Sequence, residues 1–135
     1  MSSLIDVVAA VVRSGRGLLV CQRPAGKRHG GLWEFPGGKV LRDETFHEAI
    51  VRELEEELSL GVTGPSKRLG SFSDEGSPYV IHFMEISETR GEPVALEHSA
   101  IEWVGLAELE VMELAPADRG FVDSMLFGST ATEGD

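Results

Sequence analysis

Thr45 to Leu60 is the stretch that most limits what this chain can fold into. It contains neither glycine nor proline, and Thr45 with Glu48 three residues later fits a capping box, so it reads as the one long helix. Gly61 to Gly64-Pro65 closes it. At about 100° per residue, with Leu54 at zero, Phe46, Ile50, Val51, Leu54 and Leu58 span about −80° to +60°. That apolar stripe is the face the helix must bury.

Beside the stripe lies a second pattern. Glu57 falls near about −60°, Glu53 near −100° and Glu56 near −160°, so three carboxylates share one sector, with the small Ala49 among them. Glu48 and Glu55 lie on the opposite flank. Like charges at this spacing repel, and the C-terminal half of a helix disfavours negative charge. Divalent cations would account for the placement, because close-set hard oxygen ligands suit Mg²⁺ or Mn²⁺. A solvated acidic face accounts for it equally well from the residues alone.

The rest of the chain supplies strands. Ile5 to Arg13 and Leu18 to Arg23 flank a turn at Ser14-Gly15-Arg16-Gly17 and predict a hairpin. Pro24 to Gly31 reads as an exposed loop carrying Lys27, Arg28 and His29. Leu32 to Phe35 is a short apolar piece halted by Pro36-Gly37-Gly38, after which Lys39-Val40-Leu41 can resume a strand. Ser66 to Asp74, Pro78 to Glu88 and Ile101 to Val104 are further strands, and Arg90-Gly91-Glu92-Pro93 reads as a turn. A short helix is expected over Leu106 to Leu109, and a last one from Pro116 to near Gly128. Strands and helices mixed in this way predict an α/β protein, a sandwich with a mixed sheet between helices. We expect one domain over residues 1–128 and a polar, disordered tail over 129–135.

With 135 residues, 41% of them hydrophobic and 26% charged, the chain can bury a core without disulfide or metal staples. Its 12 Lys and Arg against 23 Asp and Glu give a net charge of −11. That argues against a nucleic-acid polymer or a membrane surface as partner, both of which demand basic faces. A small anionic substrate stays open if cations bridge the two. The single cysteine, Cys21, sits in the apolar run Gly17 to Cys21 and reads as a buried strand thiol. The first residues lack the pattern of a cleaved leader, and no apolar run approaches the ~20 residues of a membrane span. A cytoplasmic monomer or dimer is the expectation.

The helix and its lead-in carry a resemblance. Gly38, five residues, Glu44, seven residues, then Arg52-Glu53-Leu54 and Glu56-Glu57 resembles the Nudix box, matching eight of its nine specified positions. The exception is Ser59, where the family has glycine. Serine at a left-handed helix end costs roughly 1 kcal/mol more; alternatively the helix runs on and Gly61 stops it. Gln22-Arg23-Pro24, Gly31 to Lys39 and Leu114 to Asp118 are similar to the MutT-type branch, its CTP pyrophosphohydrolase members above all. The resemblance covers roughly residues 5 to 127. It implies a Nudix fold that cleaves a nucleoside triphosphate to the monophosphate and pyrophosphate, by water attack assisted by Mg²⁺, with Mn²⁺ able to substitute.

Carried over by position, the resemblance makes Glu53, Glu56, Glu57, the carbonyl of Gly37 and Glu97, six residues before Trp103, the metal ligands. Glu53 or Glu56 would activate water, with Glu97 a further candidate. Arg52 would orient one of these glutamates, and Glu44 would play a structural part. Arg23 and Lys39 would meet phosphate oxygens; solvated surface charge is the alternative for each. Phe35 would offer a stacking face to the base, unless it packs in the core. Asp118 would read the base unless it caps the last helix. The enzymes that act on 8-oxoguanine nucleotides carry Asn at that place; an ionised Asp accepts only, which suits the amino group of cytosine. Cytosine nucleotides, plain or modified, are therefore the expected substrates, with 8-oxo-dGTP hydrolysis and a non-catalytic nucleotide-binding module as alternatives.

Overall fold

The computed structural model describes residues 4–73 and 75–127, so the expected tail at 129–135 lies outside the described residues. The central element is β1 (Ile5–Ser14). Its alternation divides the molecule. Val8, Ala10 and Val12 face one side and pack with Ala49, Ile50, Leu54 and Leu58 of α1 (Phe46–Leu58). Ala9 and Val11 face the other and pack with Leu109, Leu114, Phe121 and Val122. These come from α2 (Leu106–Val111), α3 (Pro116–Phe121) and the turns next to them. The expected sandwich of a mixed sheet between helices is what forms.

One edge of β1 is parallel to β7 (Tyr79–Ile86), which pairs antiparallel with β6 (Ser66–Phe72). The other edge is divided. β2 (Gly17–Gln22) pairs with β1 only at Arg13↔Leu18 and Ser14↔Gly17, and then with β3 (Trp33–Glu34) and β9 (Ala100–Val104). β4 (Gly37–Lys39) takes the start of β1, at Val7↔Lys39, Val8↔Gly38 and Ala9↔Gly37. The sheet therefore has two wings that share β1. Phe35-Pro36 carries the chain from one wing to the other, with the Ala10 N–H donating to the Pro36 carbonyl at 2.7 Å.

Three expectations are corrected. The strand expected over Lys39 to Leu41 instead runs from Gly37 and ends at Lys39, because glycine alone lets the backbone lie so close: a Cβ on Gly37 would strike the Val8 carbonyl. Arg90, expected in a turn, forms with Thr89 the strand β8, paired to β5 (Gly61–Val62). The last helix is not uniform, since the winding widens to a π-type turn over Val122–Phe127. Of the two readings of the α1 terminus, the left-handed one holds: Ser59 has φ 55° and ψ 35°, its N–H donates to the Glu55 carbonyl at 3.0 Å, and the Leu60 N–H donates to the Leu54 carbonyl at 3.2 Å. The capping box at Thr45 and Glu48 forms as read. Cys21 is buried in β2.

Candidate active site

The site is built where α1 crosses β4. Gly38 faces the helix, and a Cβ there would run into the Glu53 carboxylate. The two glycines thus bring the strand against the sheet on one side and the acidic face of the helix on the other. Arg52 ties the crossing together. Its Nε and Nη2 hold both oxygens of Glu44 at 2.7 and 3.0 Å, Nη2 also donates to the Lys39 carbonyl at 3.0 Å, and Nη1 reaches Glu53 at 3.0 Å and Glu56 at 3.4 Å. The contacts that an orienting role would need and the ordinary helical pair with Glu56 are therefore both present. The guanidinium also holds the Glu44 carboxyl well below its usual range, at a pKa of about 2.

The three helix carboxylates differ in environment. Glu56 is 55% exposed, Glu53 14% and Glu57 7%. Burial pushes the Glu57 carboxyl far above the ordinary carboxylate range, reinforced by its hydrogen bond to Glu53 and the charges of Glu97 and Glu34. Glu97 reaches this place because its loop is stapled to the end of α1: the Val94 N–H donates to the Leu58 carbonyl at 2.8 Å and the Leu96 N–H to the Glu57 carbonyl at 3.1 Å. Gly37, Glu57 and Glu97 line one cleft of about 400 Å³, together with Arg23, Lys27, Glu34 and His98. Glu53 adjoins it through Glu57, whereas Glu56 stands on the open flank of the helix.

A second cavity, about 390 Å³, lies between the start of β1, Phe35 to Lys39, Tyr79, Ile81 and Ala115 to Asp118. Arg23, Glu34 and Gly37 line both spaces, so the two adjoin at these residues. Asp118 is buried, and its Oδ2 accepts the Phe35 N–H at 2.9 Å. Burial, with Glu34 adding to it, raises its pKa to about 8, against the opposing pull of the Phe35 N–H and of Arg23. The Phe35 ring, expected as a stacking face, is itself 3% exposed and packs edge-on against Phe83 and Phe121. Arg23 is committed to Glu34 at 3.2 and 3.3 Å and to the Arg28 carbonyl at 2.6 Å. Lys39 is exposed, with its ammonium 5.6 Å from the Tyr79 ring centre. Two residues that the sequence did not single out complete the site, Glu34 and His98. A carboxylate inside the apolar run Leu32 to Phe35 was the available signal for the first, and adjacency to Glu97 for the second.

The Nudix domain family matches residues 4–125. The chain belongs to the Nudix hydrolase family. It is 38% identical over 125 residues to CTP pyrophosphohydrolase of Escherichia coli, covering 91% of this chain and 92% of that one. It is also 38% identical over 136 residues to a Mycobacterium tuberculosis protein provisionally named 8-oxo-dGTP diphosphatase 2, covering 97% and 96%. A solved MutT structure, from work on the Aliivibrio salmonicida and Vibrio cholerae proteins, superposes with a TM-score of 0.80 at 30% identity, covering 93% and 99%. This Nudix hydrolase acts on phosphoric anhydrides, and its relatives' substrates are small nucleotides. Among the described residues no helix is long and apolar enough to cross a membrane.

Nudix hydrolases generally use divalent metal ions, and the donors here fit one. Among the described residues no three carboxylate, imidazole or thiol groups form a ready-made cage. Mg²⁺ does not require one, since it keeps several waters and takes one or two carboxylates with substrate phosphate oxygens. The buried Glu57, hydrogen-bonded to Glu53 and repelled by Glu97, is the group that a cation would relieve.

Proposed function

We propose that this Nudix hydrolase is a Mg²⁺-dependent nucleoside triphosphate pyrophosphohydrolase that releases the monophosphate and pyrophosphate, with Mn²⁺ able to replace Mg²⁺ and cytosine nucleotides preferred. The observation that carries the reading is that the two spaces share Arg23, Glu34 and Gly37 as walls: an acidic cleft suited to cations and phosphates lies next to a cavity of about 390 Å³ suited to a nucleoside. Glu53, Glu56, Glu57, Glu97 and the Gly37 carbonyl would hold the metal. When bound, it neutralises phosphate charge and acidifies a coordinated water. Glu56, more exposed than Glu53 and Glu57, would take the proton from an attacking water, and Arg52, bonded to both, would keep Glu53 and Glu56 in register. Arg23 and Lys39 sit where phosphate oxygens would pass. Replacing Glu56 by Gln should abolish pyrophosphate release while the protein stays folded by circular dichroism; a variant as active as wild type refutes the assignment.

Base preference turns on Asp118. One oxygen takes the Phe35 N–H, and the side chain belongs to a residue on the cavity wall, so the second oxygen is the one that would meet a base. In the ionised form that oxygen accepts from an amino group, as on cytosine. The raised pKa supports a second reading, because the neutral form donates there instead and so offers the donor and acceptor pair of an asparagine, which suits 8-oxo-dGTP. Comparing kcat/KM for CTP, dCTP, 5-methyl-dCTP and 8-oxo-dGTP separates the two, and a clear advantage for 8-oxo-dGTP overturns the cytosine preference.

A further inference from the structure

His98 is the one buried side chain among the described residues with a polar atom that lacks a hydrogen-bond partner. Its ring is 7% exposed and lies between two carboxylates. Nε2 is 3.0 Å from Glu34 Oε2, and the unpartnered Nδ1 is 3.8 Å from Glu57 Oε1. The backbone beside the ring is tied down, because the neighbouring Ser99 N–H donates to the Gln22 carbonyl at 3.0 Å, next to Arg23. Glu34 in turn holds Arg23, and both line the nucleotide cavity as well as the acidic cleft. Glu57 lines the cleft alone.

A buried ring nitrogen without a partner costs stability unless something in the working protein makes use of it. Here the ring stands between the two carboxylates, 3.0 Å from one and 3.8 Å from the other. We propose that His98 is a positioning residue that couples the cation cleft to the nucleotide cavity: the Nδ1 edge, 3.8 Å from Glu57, bounds the position of that carboxylate, and the Nε2 edge holds Glu34 and, through it, Arg23. The inference rests on the reading of Glu57 as a metal ligand. Groups that orient ligands in this way commonly change metal affinity or activity by about 10–100-fold when removed.

The two edges can be tested apart, since an Asn amide can stand near Nδ1 and a Gln amide near Nε2. Mn²⁺ binding is measured on the nucleotide-free protein by loss of the free-ion electron paramagnetic resonance signal, and kcat and KM are measured with CTP. His98→Ala should weaken Mn²⁺ binding about 10-fold and raise KM. His98→Asn should restore Mn²⁺ binding and leave KM raised. His98→Gln should do the reverse. If Asn and Gln are impaired alike in both readouts, or if folded His98→Ala binds Mn²⁺ as wild type does, the proposal is overturned. Glu57→Gln distinguishes the underlying reading: if that variant keeps full Mn²⁺ binding, the metal assignment fails and His98 falls with it. If Glu57→Gln loses Mn²⁺ and His98→Ala does not, only the role of His98 is refuted.

Discussion

Asp118→Asn exchanges a titrating group for one that does not titrate, and the structure predicts what that does to base selection. The substitution keeps an oxygen for the Phe35 N–H, now made at 2.9 Å, and puts an NH₂ donor where the second oxygen stood. The groups that set the wild-type titration are burial and Glu34, which raise the pKa to about 8, and the Phe35 N–H, the residue's own backbone N–H and Arg23, which oppose them. With that value about one molecule in ten is ionised at pH 7 and about nine in ten at pH 9. The sign follows: the amino-accepting form gains and the donating form is lost as pH rises, so the ratio of kcat/KM for CTP to that for 8-oxo-dGTP should climb about 100-fold between these pH values. In Asp118→Asn the ratio should favour 8-oxo-dGTP throughout. Ionisation of the nucleotides is common to both proteins and cancels when the two profiles are divided. The assay is steady-state pyrophosphate release at fixed Mg²⁺, at half-unit pH steps. A divided profile that is flat from pH 7 to 9 would refute the reasoning.

Other perturbations follow from the backbone and from the Arg52 crossing. Ser59→Gly removes the cost of a side chain at φ 55° and should stabilise the protein by about 1 kcal/mol, or about 4 °C in Tm by calorimetry, without changing kcat. Gly38→Ala places a methyl on the Glu53 carboxylate and should weaken Mn²⁺ binding at least about 10-fold in a titration, with little loss of secondary structure. Arg52→Lys keeps a charge but loses the forked grip on Glu44, Glu53 and the Lys39 carbonyl, and should lower kcat by about 10–100-fold. An Arg52→Lys enzyme with normal kcat shows that the crossing does not need the fork.

The parts of this site that could be read in advance are those whose cause lies within a few residues. The capping box needs only Thr45 and Glu48, and the buried stripe of α1 needs only its own periodicity. Glu57 is a partial case. The wheel placed it at the edge of the stripe but gave no sign that it would be as buried as the leucines. What was not legible depends on partners far along the chain. Glu34 and His98 are 64 residues apart, and each alone is an ordinary polar residue. Asp118 and Phe35 are 83 apart, and their bond shows that the carboxylate shapes the Phe35 backbone as well as facing the cavity. The strand at Gly37 was hidden for the opposite reason, since glycines argue against strand until a neighbour is known to press on both faces.

Cys21 has one further consequence. It is the only thiol in the chain, it has no exposed surface near the end of β2, and burial pushes its titration up, away from the reactive thiolate. A thiol-reactive dye therefore meets it only in molecules that have opened, and the labelling rate counts those molecules. A compound that binds the closed form lowers that count in proportion to its occupancy. The protein thus carries its own ligand sensor, able to rank nucleotides and metal ions by protection alone, before any product is measured.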